Sequence, residues 1–94
     1  VAIGPEPRYQ LEIGPSALKQ LSSLPRKIQE RIAAGIDVLR FEPRPHGVKK
    51  LSGVDDLYRI RVGNYRVVYT IRDDRLIVIV LRIANRKDAY RGGP

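Results

Sequence analysis

Arg59, Arg61 and Arg66 occupy strand-like positions in "YRIRVGNYRVVY", residues 58–69. An arginine clamps a phosphate through two parallel hydrogen bonds, stacks on bases and keeps its charge across the physiological pH range. Several guanidiniums converging on one anion would stabilise negative charge developing at a phosphorus centre. Gly63-Asn64 is a two-residue turn of the kind that closes a tight hairpin. Pairing then sets Val62 against Tyr65, Arg61 against Arg66, Ile60 against Val67 and Arg59 against Val68. Tyr58, Ile60, Val62, Tyr65, Val67, Tyr69 and Ile71 share one face, and Arg59, Arg61, Arg66, Val68 and Thr70 share the other. Like charges directly opposite cost a sheet on the order of 0.2–1 kcal/mol, so the fold gains nothing by placing Arg61 beside Arg66. Two structural roles stand beside an anion site. The arginines pair with Asp55, Asp56 or Asp88, or they form a solvated face whose long stems cover apolar surface.

The whole chain is basic, with 18 Lys and Arg against 10 Asp and Glu in 94 residues, a net charge of +8. Thirteen of the cations are arginine, and most of the excess follows Pro45. A polyanion is the natural partner. There is no cysteine, which removes disulfides, thiolate metal sites and thiol nucleophiles and fits a reducing cytoplasm. No apolar run approaches the ~18 residues of a membrane span, and "VAIGPEPRYQ" lacks the pattern of a signal peptide. His46, the single histidine, stands in a Pro/Gly loop without Cys or His neighbours, so it argues against a metal site and excludes a catalytic histidine pair. Lys49 and Lys50 beside a glycine suit either a nucleic-acid backbone or solvent. Asp55-Asp56 and Asp73-Asp74 sit at turns, where aspartate is favoured by local backbone hydrogen bonding.

The elements that would position these residues follow from periodicity. Tyr9, Leu11 and Ile13 alternate with polar neighbours in a half-buried strand from Arg8 to Ile13. Pro15 opens a short helix with Ala17, Leu18, Leu21 and Leu24 at helical spacing. After Leu24-Pro25, a longer antiparallel helix carries Ile28, Ile32, Ile36 and Leu39 on one stripe. Gly35 within it costs roughly 1 kcal/mol relative to Ala and reads as a close-packing point. Residues 42–56 read as a loop. Three antiparallel strands then form a meander through turns at Gly63-Asn64 and Asp73-Asp74, and the unbroken apolar run Leu76–Leu81 predicts a strand covered on both faces. The fold class is α+β: an N-terminal strand, a two-helix hairpin and a three-stranded meander. It is one domain over residues 1–94, with 1–8 as a flexible extension and 92–94 as a tail.

With that element order, "PRPHGVKKLSGVDDLYRIRVGNYRVVYTI" and "VLRIANRKDAY" resemble the RelE/ParE toxin superfamily of prokaryotic toxin–antitoxin systems, the RelE branch in particular, from about Tyr9 to Arg91. The resemblance implies a ribonuclease without metal or cofactor that enters the ribosomal A site on the small subunit and cuts messenger RNA. The messenger's own 2′-hydroxyl attacks the adjacent phosphate, leaving a 2′,3′-cyclic phosphate and a 5′-hydroxyl. Arg66 becomes the phosphate clamp, Arg86 its partner at the leaving oxygen, Arg61 and Arg59 the basic pair on the preceding strand, and Tyr90 the aromatic that orients a base. Lys49, Lys50, Arg82 and Lys87 join Arg59 as RNA contacts. Some members carry lysines where this chain has Arg59 and Arg61, and arginine is essentially never deprotonated. The general base is thus left open among Tyr90, Lys50 and positioning by the ribosome. The implied partners are a RelB-like antitoxin, in complexes up to a toxin–antitoxin heterotetramer, and operator DNA only through that antitoxin. Two other activities share the fold: DNA gyrase inhibition, as in the ParE branch, and a catalytically degenerate repressor module.

Overall fold

The computed structural model describes residues 7–51 and 56–85. Its elements are β1 (Gln10–Ile13), α1 (Pro15–Ser22), α2 (Arg26–Asp37) running into a 3-10 turn (Val38–Arg40), β2 (Lys49–Lys50), β3 (Leu57–Val62), β4 (Tyr65–Arg72) and β5 (Ile77–Asn85). The strands form one five-stranded sheet in the order β1-β5-β4-β3-β2. β1 is parallel to β5, and every other neighbour pair is antiparallel.

Both helices start where the sequence forbids an earlier start. Gly14 caps α1 in an extended conformation and Pro15 takes the first turn, a position where its missing N–H would have had no intrahelical acceptor. Gly14 also lies against β5: its N–H donates to the Val80 carbonyl at 2.8 Å, and a Cβ there would stand 3.2 Å from the same oxygen. The helices meet at Ser23–Pro25, where the Gln29 amide donates to the carbonyls of Leu24 (2.7 Å) and Ser22 (3.3 Å). α1 then packs on β5 and α2 on β3.

Ala17, Ile32, Ile36 and Leu39 are buried against Tyr58, Ile60, Val67, Tyr69, Ile71, Val78, Val80 and Ile83 of the sheet. Ile28 lies at the margin of this core, so the predicted helical stripe faces inward. Each large aliphatic or aromatic side chain fully buried there stabilises the fold by about 1.5–3 kcal/mol. Gly35 is the point of closest approach that its position in the helix predicts, since a Cβ would come 2.7 Å from Cγ2 of Val62 on β3.

The meander departs from expectation in three places. Lys49 and Lys50 lie in β2, pairing with Arg59 and Tyr58, so the predicted loop over 42–56 contains an edge strand. The second turn spans residues 73–76, with Leu76 at φ 54°, in place of a two-residue Asp73-Asp74 connection. Strand β5 is buried on one face only: Val78, Val80 and Ile83 are buried, Ile77 and Ile79 half-buried, and Leu81 39% exposed. The register explains the unbroken apolar run. Val68 pairs with Arg82 but Tyr69 with Val80, leaving Leu81 as the extra residue of a β-bulge. A bulge resets the alternation, moving the inward positions from 78 and 80 to 83.

Candidate nucleic-acid interface on the β3–β4 hairpin

The hairpin forms in the predicted register, with Arg61 opposite Arg66 and Arg59 opposite Val68. Gly63 has φ 60° and Asn64 does not share that sign, which is the type II′ turn that requires glycine first. The turn therefore fixes which face each arginine takes. Adjacent strands extend that face: Lys49 lies opposite Arg59, Arg82 opposite Val68 and Ala84 opposite Arg66. Lys50, opposite Tyr58, has the other parity and points away from these cations.

Exposure separates the arginines. Arg61 is exposed, while Arg59 and Arg82 are half-buried. Arg66 is only 4% exposed, with its Nε and Nη2 shielded from solvent. This corrects the picture of a uniformly solvated basic face: alternation assigns Arg66 to the side away from the helices but not to the outside of the protein.

Two depressions share Arg61. A hollow of about 30 Å³ beside the turn is lined by Arg61, Gly63, Asn64, Tyr65 and Arg66. A groove of about 510 Å³ lies along the β3 edge beyond the end of β2, with Lys49, Arg59, Arg61 and His46 among its lining residues. Its back is formed in part by Gly35 and Val62. The groove can take a strand of polyanion, with Arg61 joining it to the Arg66 position.

At the other end of the sheet stands a cluster that sequence reasoning missed. Arg44 donates through Nη2 and Nη1 to the two carboxylate oxygens of Asp73 at 2.8 and 3.3 Å, and through Nε to the Tyr58 hydroxyl at 3.2 Å. Its guanidinium carbon lies 5.2 Å from the Tyr58 ring centre. The Tyr9 hydroxyl donates to Asp73 at 2.7 Å, and the buried Tyr69 hydroxyl donates to the Pro43 carbonyl at 2.7 Å. These hydrogen bonds hold the Asp73 carboxyl down at about 2, with the Arg44 bond the larger cause and the Tyr9 bond next. Asp73 in turn raises Tyr9, and burial raises Tyr69. Asp73 is thus a long-range anchor as well as a turn residue. The two partners lie 29 positions apart and share no periodic signal.

Of the acids considered as arginine partners, Asp56 is exposed at φ 47°, and Asp55 and Asp88 fall outside the described residues, as do Arg86, Lys87 and Tyr90. Among the described residues, no group of three or more His, Cys, Asp or Glu is arranged to hold a metal ion. No described helix is long and apolar enough to cross a membrane.

Residues 11–90 match the family model described as ParE toxin of type II toxin–antitoxin system, parDE. The chain belongs to this toxin family. The toxin RelE of Mycobacterium tuberculosis is 35% identical over 91 residues, covering 92% of this chain and 90% of its own length. The mRNA interferase toxin RelE of Escherichia coli K12 is 28% identical over 81 residues, 84% of each chain. In three dimensions the chain is similar to an archaeal RelE–RelB complex from Pyrococcus horikoshii OT3, with a TM-score of 0.74 and 34% identity over 84% of this chain and 96% of that one. The α+β arrangement of an N-terminal strand, two helices and antiparallel strands is the fold of these RelE toxins.

Proposed function

We propose that this toxin-family chain is a ribosome-dependent endoribonuclease that cleaves messenger RNA in the A site and is neutralised by a RelB-like antitoxin. The observation that carries this reading is the direct pairing of Arg61 with Arg66 on a face that also bears Arg59, Lys49 and Arg82. A like-charge pair destabilises a sheet, and a bridging phosphate converts that repulsion into binding. The relative named as an mRNA interferase and the relative solved with RelB support the substrate and the partner respectively.

In this reading Arg66 holds the non-bridging oxygens of the scissile phosphate and Arg61 shares the charge. Arg59, Lys49 and Arg82 bind the flanking backbone, with Lys87 as an outer contact; Lys50, on the opposite face, is left out of it. Arg86 stabilises the departing oxygen and Tyr90 orients a base, as the family resemblance assigns them. Each preorganised donor to the developing charge is worth roughly 3–4 kcal/mol of barrier. The chemistry asks no metal of the chain. The antitoxin covers the basic face, links two toxins into a heterotetramer and carries the complex to operator DNA.

The family model's ParE description favours a second reading, inhibition of DNA gyrase. One experiment separates them: the purified toxin is incubated with a defined messenger, with and without programmed ribosomes, and cuts are mapped by primer extension beside a gyrase supercoiling assay. Ribosome-dependent cuts within codons are expected. An intact messenger together with lost supercoiling selects the gyrase reading.

A further inference from the structure

The connection from the 3-10 turn to β2 is fixed more firmly than a Pro- and Gly-rich loop needs to be. Its Pro43 carbonyl accepts from Tyr69, and its Arg44 is clamped to Asp73 and Tyr58. The Arg44 backbone N–H donates to Glu42 at 3.2 Å. Directly after these anchors, the Val48 N–H donates to the Pro45 carbonyl at 3.0 Å and Gly47 has φ 90°. That is a type II turn, with glycine at the position that needs positive φ. His46 is the first corner residue of this turn, and it is exposed. The anchored loop thus carries a single imidazole to the wall of the groove that holds Lys49, Arg59 and Arg61.

The charged groups facing that groove are Lys49 from β2 and Arg59 and Arg61 from β3, while α2 contributes the uncharged Gly35 and the 3-10 turn the uncharged Val38. Arginine does not give up its proton and an ammonium has no lone pair to offer. Imidazole is the side chain that exchanges a proton near neutral pH. Arg61 lines both the groove and the Arg66 hollow, so the groove wall that bears His46 and the Arg66 position adjoin at one side chain.

We propose that His46 is the proton acceptor for the attacking 2′-hydroxyl, an inference that rests on the ribonuclease reading above. The imidazole takes the 2′-hydroxyl proton as the O2′–P bond forms. The P–O5′ bond breaks with its electron pair going to O5′, which takes a proton from water. The hydroxide so formed removes the proton from the imidazolium, restoring the base. The products are a 2′,3′-cyclic phosphate and a 5′-hydroxyl end, with no oxidant, reductant or further reactant.

The test is single-turnover cleavage on programmed ribosomes between about pH 5.5 and 8.5, comparing the full-length chain with His46→Ala and Arg66→Lys. The rate of the unaltered chain is expected to climb with pH over the acid side of that range, as a cleavage that needs a neutral base requires. His46→Ala is expected to cleave roughly 10²–10⁴-fold more slowly, to lose that pH limb and to regain rate when imidazole is added. Its binding to ribosome-held messenger should stay within about twofold, as a tip residue outside the core permits. A variant that cleaves at the full rate overturns the assignment. So does one that is slow but keeps the pH limb and ignores imidazole, since His46 then only binds RNA or supports the loop. If the unaltered chain cleaves and Arg66→Lys does not while His46→Ala is fully active, the ribonuclease reading stands without His46. An unaltered chain that leaves the messenger intact overturns both.

Discussion

Arg61 and Arg66 face each other across the β3–β4 hairpin, one exposed and the other 4% accessible. Their positions are equivalent in register and opposite in environment, so the two substitutions should separate. Arg61→Ala removes a like-charge neighbour from an exposed site and relieves roughly 0.2–1 kcal/mol. The free toxin should melt a few degrees higher while cleaving more slowly. Calorimetry and cleavage on the same preparation check both. Lower stability together with unchanged cleavage would mean that the pair is structural.

Arg66→Lys keeps the charge and loses the planar fork, which is the distinction that matters for a group clamping a phosphate. Cleavage is expected to fall by roughly 10²-fold or more, on the scale of one lost donor to transition-state charge. Circular dichroism and binding to the cognate antitoxin report whether the fold persists. Wild-type cleavage by Arg66→Lys would remove the bidentate role.

Gly35 and Val62 set the spacing between α2 and β3. Alanine at position 35 ought to gain about 1 kcal/mol in helix propensity, yet its Cβ would stand 2.7 Å from Val62 Cγ2. Valine is stiff at χ1, so the clash should win and Gly35→Ala should lower the melting temperature. Adding Val62→Ala opens the space, and the double variant should recover more than the two separate changes predict. A double-mutant cycle measures that coupling; additive effects would show that the contact does not govern stability.

The elements and residues that sequence reading located are those set by local rules. The α2 stripe follows a 3.6-residue period, the hairpin register follows Gly63-Asn64, and both put Arg59, Arg61 and Arg66 on one face. What escaped depends on distant partners. The Leu81 bulge shows up in sequence only as lost alternation, which a doubly covered strand would also produce. β2 has two residues and exists because β3 offers it an edge. Arg44 and Asp73 meet only after the whole meander has folded. Period two also assigns a side chain to a face without saying how deeply it lies, so the burial of Arg66 has no sign in the sequence. His46 was legible as a residue type, but its place beside Arg59 and Arg61 depends on the tertiary anchors of its loop.

The clamp at Asp73 makes stability depend on acid. Its folded-state value of about 2 lies below the ordinary aspartate value of 3.8, so the unfolded chain binds the proton more readily. The contribution is present above about pH 4 and is lost as pH falls through about 2. Asp73→Asn should lower stability at neutral pH and flatten the pH dependence between about 4 and 2. Urea midpoints measured across that range test it, and an unchanged slope would assign acid sensitivity to other carboxylates. Because the same clamp holds the loop of His46, cleavage by this variant should fall even at temperatures where it stays folded.

The basic groove also predicts how binding responds to salt. Contact with a single strand releases counterions, so affinity falls with a logarithmic slope of about −0.7 for each phosphate neutralised. Lys49 and Arg59 are cross-strand partners lining one groove and should neutralise adjacent phosphates. Replacing either by alanine should flatten the slope for a short unstructured RNA by about 0.7, and replacing both by about twice that. Arg72 on β4 is exposed and lies 3.7 Å from Asp74, at the end of the sheet away from the groove. Arg72→Ala should leave the slope unchanged although it removes the same formal charge. Equal losses at all three positions would mean that RNA senses only the net charge of the chain, and the groove would no longer be its path.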